Sequence, residues 1–262
     1  MPHFALKYLR REALPTPFCP GCFNGIVMNA MFRAFERLGI ESLDRFVFVS
    51  GIGCSSWIPN PHIAADTVHT LHGRAIPVAT GIKLARPDLE VIVIAGDGDL
   101  AAIGGNHLIH AARRNMDLIV VMITNLVYAM TRGQVAPTTP LGMKTPTTPF
   151  GNPEPPMDVA ELLSKTNANY VARWCVSNFS ELVESFIDVL HRVKRGFRFI
   201  EVYAPCITYV ARYRGLTPAQ MLRELEKVCR EGGEVRVGVF VKRDEPGFID
   251  RYRAMVEGVK RC

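Results

Sequence analysis

The stretch LEVIVIAGDGDLAAIGGNHLIHAARRNMDLIVVMITN, residues 89–125, decides the fold of this chain. It opens with a nearly all-apolar run, Leu89–Ala95, and closes with a second one, Asp117–Thr124, and both have the length of a strand. The residues around 104–114 between them fit a helix. Nearly all-apolar strands are typical of a parallel sheet that helices cover on both faces. The stretch therefore predicts a β-α-β unit, the building block of an α/β protein.

The same alternation of strands and helices continues on both sides of this unit. Apolar residues at three- and four-residue spacing predict an amphipathic helix from Ile26 to Leu38, which ends at Gly39. The other predicted elements are strands at 45–50, 170–174 and 197–203 and helices at 73–86, 157–166 and 179–194, with 57–70 irregular. Beyond them, the cap signal Thr217-Pro-Ala-Gln220 starts a helix, followed by a strand at 235–241 and a helix at 247–261. We therefore expect an α/β fold, with a mostly parallel sheet and helices on both faces.

The chain is expected to form a single domain with two appendages. Its 262 residues are enough for one large domain with a sizeable core. We place an N-terminal arm at 1–17, the α/β domain at 18–210 and a C-terminal extension at 211–262. The segment 125–156 contains seven prolines and six threonines and has no regular periodicity. A connection of this length in a compact domain is typical of a binding loop or a partner-contacting segment.

Composition and charge exclude several classes of protein. Apolar residues make up 48% of the chain and charged residues 21%, which excludes a largely disordered chain. The formal net charge of +6 is spread along the sequence, so it fits an anionic ligand but does not favour nucleic acid. No apolar run approaches the roughly 18 residues that cross a bilayer, and the N-terminus has no apolar stretch of signal-peptide length. We therefore expect a cytoplasmic protein with no membrane and no nucleic-acid partner.

Asp97 and Asn125 form the most informative pair of residues. Gly96-Asp97-Gly98 follows one predicted strand and Asn125 follows the next, with the 26 residues 99–124 between Gly98 and Asn125. Because parallel strands end at the same edge of a sheet, we expect both side chains in the crevice where α/β sheets bind ligands. The glycines let the backbone approach a phosphate group closely.

These oxygen donors suit a magnesium ion on a diphosphate. Mg²⁺ prefers hard oxygen ligands and commonly shares them with substrate phosphates. Asp97, Asn125 and the backbone carbonyl of Val127 can supply three ligands. We expect a helix N-terminus near residues 103–105 to add partial positive charge for the anion.

Seven cysteines need an explanation other than disulfides, which are rare in a reducing compartment. Packing is one explanation and metal binding is the other. Cys19 and Cys22 form a CxxC pair at a helix start, and both Cys54 and Cys206 follow predicted strands. The CxxC pair by itself has three interpretations, namely zinc or iron–sulfur ligation, a redox pair, or an incidental pair.

The sequence around the Gly-Asp-Gly motif resembles one family of thiamine diphosphate enzymes. The spacing to Asn125 is that of the thiamine diphosphate motif, and GDGDLAAIGGNHLIHAARRNMDLIVVMITNLVYAMTRGQVAPTTP, residues 96–140, is similar to the β subunit of 2-oxoacid:ferredoxin oxidoreductases. The similarity covers residues 18–210 and includes SGIGCSSWIPNP, DTVHTLHGRAIPVATGIK and KTPTTPFGNPEPPMDVAELL. The resemblance implies a thiamine diphosphate-binding fold. It also implies a decarboxylating oxidation of a 2-oxoacid in which coenzyme A takes the acyl group and ferredoxin takes the electrons.

The resemblance further implies a [4Fe–4S] cluster near the thiazolium of the cofactor. In this family the ligands lie in FCPGC, in GIGCSS and in a motif like APCITY. The corresponding residues here are Cys19, Cys22, Cys54 and Cys206. Phe23 departs from the family, which usually has glycine after the second cysteine, and the change affects packing beside the cluster. The remaining cysteines, which we expect to pack and not to bind metal, are Cys175, Cys229 and Cys262.

The cofactor is expected to contact the glycine turn, the HGR segment, the two strand ends and the loop after Asn125. The residues expected to bind it are Gly53, Cys54, Ser55, Ser56, His72, Gly73, Gly96, Asp97, Gly98, Asp99, Asn125, Val127, Tyr128, Thr131, Gly133 and Gln134. No residue is assigned to catalysis outright, but His72 and Arg74 are candidates, with a structural role for the histidine as the alternative. Thiamine activation normally needs a glutamate, and the resemblance implies that the partner α subunit supplies it.

Trp57 bears on the choice of substrate. Family members with other substrates often carry a basic residue near this point, and SSWIPNP most resembles the four-subunit 2-oxoglutarate enzymes. We therefore expect 2-oxoglutarate first, with pyruvate and 2-oxoisovalerate as alternatives. The expected partners are the α subunit, with γ and δ subunits as further candidates, and ferredoxin. Two other classes stay open: a cluster-free thiamine diphosphate decarboxylase or lyase subunit, and a zinc-stabilised assembly subunit without chemistry.

Overall fold

The computed structural model of the chain describes residues 3–230 and 232–259. Its centre is a seven-stranded sheet in the order β2-β1-β3-β4-β8-β7-β9. The strands of this sheet are β1 (Phe46–Ser50), β2 (Asp66–His69), β3 (Glu90–Gly96), β4 (Ile119–Thr124), β7 (Tyr170–Cys175), β8 (Arg198–Tyr203) and β9 (Gly238–Lys242), and β5 (Val127–Tyr128) and β6 (Gln134–Val135) form a separate hairpin. Every neighbouring pair in the large sheet is parallel except β7 and β9. The predicted mostly parallel α/β sheet is confirmed.

Helices cover both faces of the sheet. They are α1 (Asn24–Arg37), α2 (Ala75–Ala85), α3 (Gly105–Arg113), α4 (Val159–Ser164), α5 (Phe179–Ile187), α6 (Val210–Tyr213), α7 (Pro218–Val228) and α8 (Phe248–Val259). Ile92 and Ile94 of β3 pack into the core layer that contains α1 and α5, whereas Val91 and Val93 pack into the layer that contains α2 and α3. Both faces of β3 are buried, which explains its nearly all-apolar sequence. No helix in the described part of the chain is long and apolar enough to cross a membrane.

The N-terminal segment packs on the domain. Residues Phe4–Tyr8 form a short 3₁₀ helix that contacts α1, and Tyr8 is buried. The hydroxyl group of Tyr8 donates a hydrogen bond of 2.9 Å to the carbonyl of Ile40. The division of the chain at residues 17 and 210 stays a prediction.

Two elements near the carboxyl ends of the strands differ from the expectation. Residues 57–70, predicted to be irregular, include β2, which pairs with β1 at the edge of the sheet. This strand reads Asp-Thr-Val-His and is half-exposed, so it lacks the alternation of apolar residues that marks a strand. In addition, a π-helical segment, Gly98–Ile103, fills the space between β3 and α3.

The proline-rich segment 125–156 is ordered by side chain to backbone hydrogen bonds. The amide group of Asn152 donates 2.8 Å to the carbonyl of Thr139, and the Asn152 carbonyl accepts from the Gly142 N–H at 2.7 Å. Prolines cannot donate from the backbone, so polar side chains replace the missing ladder. The segment folds back over the ends of β3 and β4 through Thr138 and Thr139.

The C-terminal extension begins as the sequence indicates. The Thr217 hydroxyl accepts from the Gln220 N–H, and the Gln220 side chain accepts from the Thr217 N–H, which is a capping box at the start of α7. The strand predicted at 235–241 is β9, and it begins at Gly238. The last helix is α8, and the predicted positions 260 and 261 lie outside the described residues.

Cys175 and Cys229 form a disulfide, which joins the end of β7 to the residue after α7. Both cysteines are buried. The expectation that these two residues simply pack is therefore wrong, although neither is left available as a metal ligand. The two positions are 54 residues apart and meet only through the fold, so no local pattern could indicate the pairing. Cys262 lies outside the described residues.

A buried group of charges joins β4, β7 and β8 near their carboxyl ends. The guanidinium of Arg173 donates through Nε to Glu201 Oε2 at 2.9 Å and also pairs with Asp158, the N-cap of α4. The Thr124 hydroxyl donates to Glu201 Oε1 at 2.8 Å. Arg173 and Glu201 are both buried. A buried charge is tolerated only when it is paired and hydrogen-bonded, so removal of one partner is costly.

We predict that Glu201→Gln lowers the free energy of unfolding of the full chain by about 3 kcal/mol. The new glutamine is neutral, so the buried guanidinium of Arg173 would lose one of its two carboxylate partners. Urea unfolding followed by circular dichroism measures the change.

The matched control is Glu184→Gln. The Glu184 carboxylate also pairs with two arginines, Arg37 and Arg192, but its side chain is 48% exposed. An exposed pair contributes little, so the control is expected to lose less than about 1 kcal/mol. Equal losses in the two variants would contradict this account of the buried group.

Candidate functional site

The ends of β3 and β4 lie side by side. The two strands are parallel, and Gly96 is opposite Ile123 in their register. Asp97 follows β3 directly, and its Oδ2 atom accepts a hydrogen bond of 2.9 Å from the N–H of Leu126, one residue beyond Asn125. The structure therefore brings the carboxylate and the amide of the predicted pair to the same edge of the sheet.

The carboxylate of Asp97 is buried, with 1% of the residue exposed. Its Oδ1 atom accepts from the Gly98 N–H at 2.9 Å, and its Oδ2 atom accepts from the Leu126 N–H and from the Thr138 hydroxyl. Burial raises the pKa of Asp97 to about 6, and the three donors oppose that rise. A carboxylate that is held in place and deprived of water gains from a bound cation.

A cavity of about 270 Å³ opens at these strand ends. It is lined by Ile52, Gly53, Cys54, Ser55, His72, Gly96, Asp97, Gly98, Asp99, Asn125, Val127, Tyr128, Ala129, Met130 and Thr131. The two acidic residues in this lining are Asp97 and Asp99, and no glutamate is among the described residues that form it. The lining combines an apolar wall with a few convergent polar groups, as expected of a small-molecule site.

Gly98 has a steric reason to be glycine. A Cβ atom at this position would lie 2.5 Å from Cε1 of the Tyr128 ring. The Tyr128 hydroxyl donates 3.3 Å to the carbonyl of Gly98, and Tyr128 lines the cavity. Any larger residue at position 98 would collide with the Tyr128 ring.

Ser55 adds an unsatisfied donor to the site. Its Oγ atom is buried and has no hydrogen-bond partner in the described part of the chain. A Cβ atom on Gly96 would lie 3.4 Å from this hydroxyl, so Ser55 faces the end of β3. A buried polar atom without a partner is unfavourable, and a polar ligand in the cavity would relieve the cost. The residues present therefore fit a diphosphate with a divalent cation.

Five of the residues that the sequence analysis placed at the site do not line the cavity. They are Ser56, Gly73, Arg74, Gly133 and Gln134. Ser56 donates to the carbonyl of Gly51 at 2.6 Å, and the Gly73 N–H donates to the carboxylate of Asp99. Arg74 is exposed and lies near His107, with 3.3 Å between the two side-chain nitrogens. These contacts support the shape of the site from outside.

Gly133 and Gln134 lie in the hairpin that follows Tyr128. Gly133 has a φ of 91°, and a Cβ atom there would lie 2.7 Å from the hydroxyl of Tyr213. The Gln134 side chain accepts from the Thr131 hydroxyl at 2.7 Å. Both residues thus shape the loop that carries Thr131 into the lining.

The N-terminus of α3 lies where the sequence predicts it, since Gly104 is the N-cap and Gly105 begins the helix. A further helical segment, which was not predicted, starts at Gly98 directly after Asp97 and separates this N-terminus from the strand end. Asp97 caps this π-helical segment through the Gly98 N–H, and residues 103–105 are absent from the cavity lining.

Two kinds of residue at the site were not predicted from the sequence. The first kind lines the cavity and consists of Ile52, Ala129 and Met130. Each of them is close in sequence to predicted site residues, and this closeness could have indicated that they belong to the site. Thr138 donates to Asp97 from a loop 41 residues further along the chain. No motif marks that contact, because it depends on how segment 125–156 folds back.

The four cysteines that the family resemblance indicates lie near one another. Cys19 and Cys22 occupy a turn before α1, where the Cys22 N–H donates 2.9 Å to the Cys19 carbonyl. Cys54 begins a 3₁₀ turn after β1 and lines the cavity. The Cys206 N–H donates 3.0 Å to the carbonyl of Asn125, which ties this cysteine to the strand end at the site.

Burial and mutual repulsion act on these thiols. Burial is the largest cause that raises the pKa of Cys22 to about 11 and that of Cys54 to about 12, and the charges of the neighbouring cysteines act in the same direction. All four thiols are free. Within the described ranges, however, no three His, Cys, Asp or Glu side chains lie close enough together to hold one metal ion.

Trp57, His107 and His110 lie outside the cavity lining. The Trp57 side chain is 40% exposed, and its carbonyl accepts from His62 Nδ1 at 2.5 Å. His107 and His110 are on α3, next to a separate depression between α2 and α3. No contact of these side chains with the site supports a catalytic role.

Known proteins that resemble this chain include enzymes that bind thiamine pyrophosphate. Residues 51–202 match the model of the thiamine pyrophosphate enzyme C-terminal TPP-binding domain. The chain is 45% identical to the 2-oxoglutarate synthase subunit KorB of Methanocaldococcus jannaschii, over 98% of this chain and 99% of that protein. It is 35% identical to the 2-oxoglutarate oxidoreductase subunit KorB of Mycobacterium tuberculosis, over 87% of this chain and 57% of that protein.

A solved structure is similar as well. The 2-oxoglutarate:ferredoxin oxidoreductase from Magnetococcus marinus, with 2-oxoglutarate, coenzyme A and succinyl-CoA bound, superposes with a TM-score of 0.83 at 33% identity. The match covers 99% of this chain and 91% of that chain. From the matched strand-end motif, the full-length identity and the shared fold, we conclude that this chain belongs to the β subunits of the 2-oxoacid:ferredoxin oxidoreductases, a family of thiamine pyrophosphate enzymes.

Proposed function

We propose that this chain is the cofactor-binding subunit of an enzyme that oxidatively decarboxylates 2-oxoglutarate. In the proposed reaction coenzyme A takes the acyl group, carbon dioxide leaves, and the electrons pass through a [4Fe–4S] cluster to ferredoxin. The observation that carries the proposal is the cavity itself, where Asp97 and Asn125 meet at paired strand ends and Cys54 forms part of the wall. Oxidation of pyruvate or 2-oxoisovalerate is the alternative within the same chemistry.

The proposed cofactor is thiamine diphosphate with Mg²⁺. When bound, thiamine diphosphate supplies the carbon nucleophile and the electron sink for decarboxylation. Asp97, Asn125 and the carbonyl of Val127 would hold the metal ion on the diphosphate, and the backbone at Gly98 would approach the phosphates. The apolar wall of the cavity, which includes Ile52 and Met130, would keep water from the reacting groups.

The proposed electron exit is a cluster on Cys19, Cys22, Cys54 and Cys206. Its position next to the cavity is supported by two contacts, since Cys54 lines the wall and Cys206 bonds to the backbone of Asn125. A single tetrahedral zinc ion would need sulfurs about 4 Å apart, because each Zn–S bond is about 2.3 Å. The cluster places its ligands further apart, because each sulfur binds a different iron. The two alternatives therefore differ in the metal that the protein would contain and in the spacing of its ligating sulfurs.

The proposed assembly includes at least an α subunit. The cavity lining contains no glutamate in the described residues, so the group that activates the cofactor must come from elsewhere. Segment 125–156 carries exposed apolar side chains, with Phe150 97% exposed and Leu141 64% exposed, and we propose it as part of the subunit interface. Additional γ and δ subunits, a ferredoxin partner and a cytoplasmic location belong to the same proposal.

We predict that Asp97→Asn weakens Mg²⁺-dependent binding of thiamine diphosphate by more than about tenfold. Substitution of a residue that only supports a metal ligand already lowers metal affinity by about tenfold or more, and Asp97 is proposed as a direct ligand. The amide group of the new asparagine offers the cation only one oxygen and carries no negative charge. Calorimetric titration of the complex with thiamine diphosphate, with Mg²⁺ and with EDTA, measures the change. Asp88→Asn is the matched control, because Asp88 is exposed and pairs with Arg86. An unchanged affinity of Asp97→Asn for thiamine diphosphate in the presence of Mg²⁺ would contradict the assignment of Asp97 as a metal ligand.

We predict that anaerobically purified protein is brown and that Cys206→Ser loses most of the visible absorption and iron. Serine is a poor ligand for iron in a thiolate cluster. Binding of thiamine diphosphate should persist, which separates the cluster from the cofactor site. Cys262→Ser, outside the proposed ligand set, serves as control. Zinc in place of iron would support the assembly-subunit alternative, and a colourless, metal-free protein with activity would support the cluster-free lyase.

We predict that the complex reduces a viologen dye with 2-oxoglutarate only when coenzyme A is present, and that the chain alone is inactive. The assay is run anaerobically with 2-oxoglutarate, pyruvate and 2-oxoisovalerate in parallel. A higher kcat/KM for 2-oxoglutarate supports the proposed substrate. Preference for one of the other two acids would move the substrate assignment to it, and activity with none would contradict the proposed function.

A further inference from the structure

Asp99 is a second buried carboxylate at the site, and the metal motif does not use it. It follows Asp97 by two residues, and 2% of it is exposed. Its Oδ1 atom accepts a hydrogen bond from the Gly73 N–H and lies 2.9 Å from Nδ1 of His72. The three hydrogen-bond donors of Asp97 are Gly98, Leu126 and Thr138, so the two carboxylates have separate partners.

The backbone around Asp99 leaves room for its carboxylate. A Cβ atom on Gly51, directly after β1, would overlap both carboxylate oxygens of Asp99. Gly73 has a φ of 71°, and a Cβ atom there would lie 2.5 Å from Cγ2 of Ile103. Two glycines from different parts of the chain therefore let the carboxylate and the loop of His72 approach each other.

The imidazole of His72 lies beside the carboxylate of Asp99, and both residues line the cavity. Its Nδ1 atom is on the side of Asp99, and the ring meets the ring of Tyr128 edge to face, with 6.0 Å between centroids. His72 lines the cavity, and 34% of its side chain is exposed. Since Nδ1 faces the carboxylate of Asp99, the other ring nitrogen, Nε2, is the one that can contact a ligand.

Two atoms of this pair are buried without a well-aligned hydrogen-bond partner. They are His72 Nδ1 and Asp99 Oδ2. The 2.9 Å approach of Nδ1 to Oδ1 is short enough for a bond but is not aligned for one. A small rotation of the ring would align it, and contacts of this kind commonly tighten when a substrate binds. The pair is thus arranged for a bound state.

We propose that Asp99 is a positioning residue, which holds His72 by Nδ1 so that Nε2 contacts the ligand in the cavity. The proposal rests on the proposed function for the identity of that ligand, a 2-oxoacid beside thiamine diphosphate. A carboxylate behind a histidine sets both the ring orientation and the nitrogen that keeps its proton, as in metal and hydrolase sites. Asp99 therefore acts on the reaction through the position of His72.

The first test is a double-mutant cycle on the assembled complex. We expect Asp99→Asn and His72→Gln each to lower kcat by about tenfold or more, with KM and the dissociation constant of thiamine diphosphate within about threefold. Because both changes remove one function, Asp99→Asn with His72→Gln should lose no more than about threefold beyond His72→Gln alone. Asp88→Asn and His191→Gln, both exposed positions, are the matched controls.

Two results of this cycle would overturn the proposal. Losses that multiply in the double variant would show that Asp99 and His72 act independently. If Asp99→Asn lowers the affinity for thiamine diphosphate by about tenfold or more and leaves KM unchanged, Asp99 acts in cofactor binding and not through His72. If the unsubstituted complex oxidises none of the three 2-oxoacids, the proposed function fails, and the second test still examines the position of His72.

The second test needs no variant and no turnover. Diethyl pyrocarbonate modifies exposed imidazole nitrogens, and mass spectrometry of peptides locates the modified histidines. We expect His72 of the unsubstituted complex to react when free and to be protected several-fold by thiamine diphosphate with Mg²⁺, and more by added 2-oxoglutarate. His191, exposed away from the cavity, should react equally in all samples. Equal modification of His72 with and without the cofactor would show that Nε2 does not face the ligand.

Discussion

The parallel pairing of β3 with β4 is the constraint on which the site depends. Both strands run in the same direction with Gly96 opposite Ile123, so they end at the same edge of the sheet. Asp97 follows one end and Asn125 the other, and the Leu126 N–H closes onto the Asp97 carboxylate. Because both faces of these strands are packed against helices, a shift of one residue would exchange the side chains of the two core layers and disrupt the packing of both. The core thereby fixes the distance between the two proposed metal ligands.

Much of the fold could be predicted because it follows from local periodicity. The all-apolar runs of β3 and β4 required helices on both faces, and the amphipathic spacing of α1 identified one of them. The edge of the sheet that carries Asp97 and Asn125 followed from strand direction alone. The edge strand β2 escaped notice because it is short, polar and half-exposed, so no apolar alternation marks it.

What the sequence could not predict is pairing between distant segments. Thr138 reaches Asp97 from a loop without periodicity, and Cys175 finds Cys229 across 54 residues. The contact between Asp99 and the loop of His72 and Gly73 is another such pairing, because the two segments lie far apart in the sequence and meet only in the folded chain. The expected residues could be named from motifs, but their division into cavity lining and outer support needed the three-dimensional arrangement.

The central claim is that Asp97 and Asn125 jointly hold one divalent ion on a diphosphate. Thiamine diphosphate with Mn²⁺ in place of Mg²⁺ can be soaked into crystals of the complex, since both ions take oxygen ligands. An anomalous difference map then locates the manganese directly. We predict one strong peak within bonding distance, about 2.2 Å, of an oxygen of Asp97 and of the Asn125 side-chain oxygen. A peak elsewhere, or a bound diphosphate without manganese at these two residues, would contradict the account.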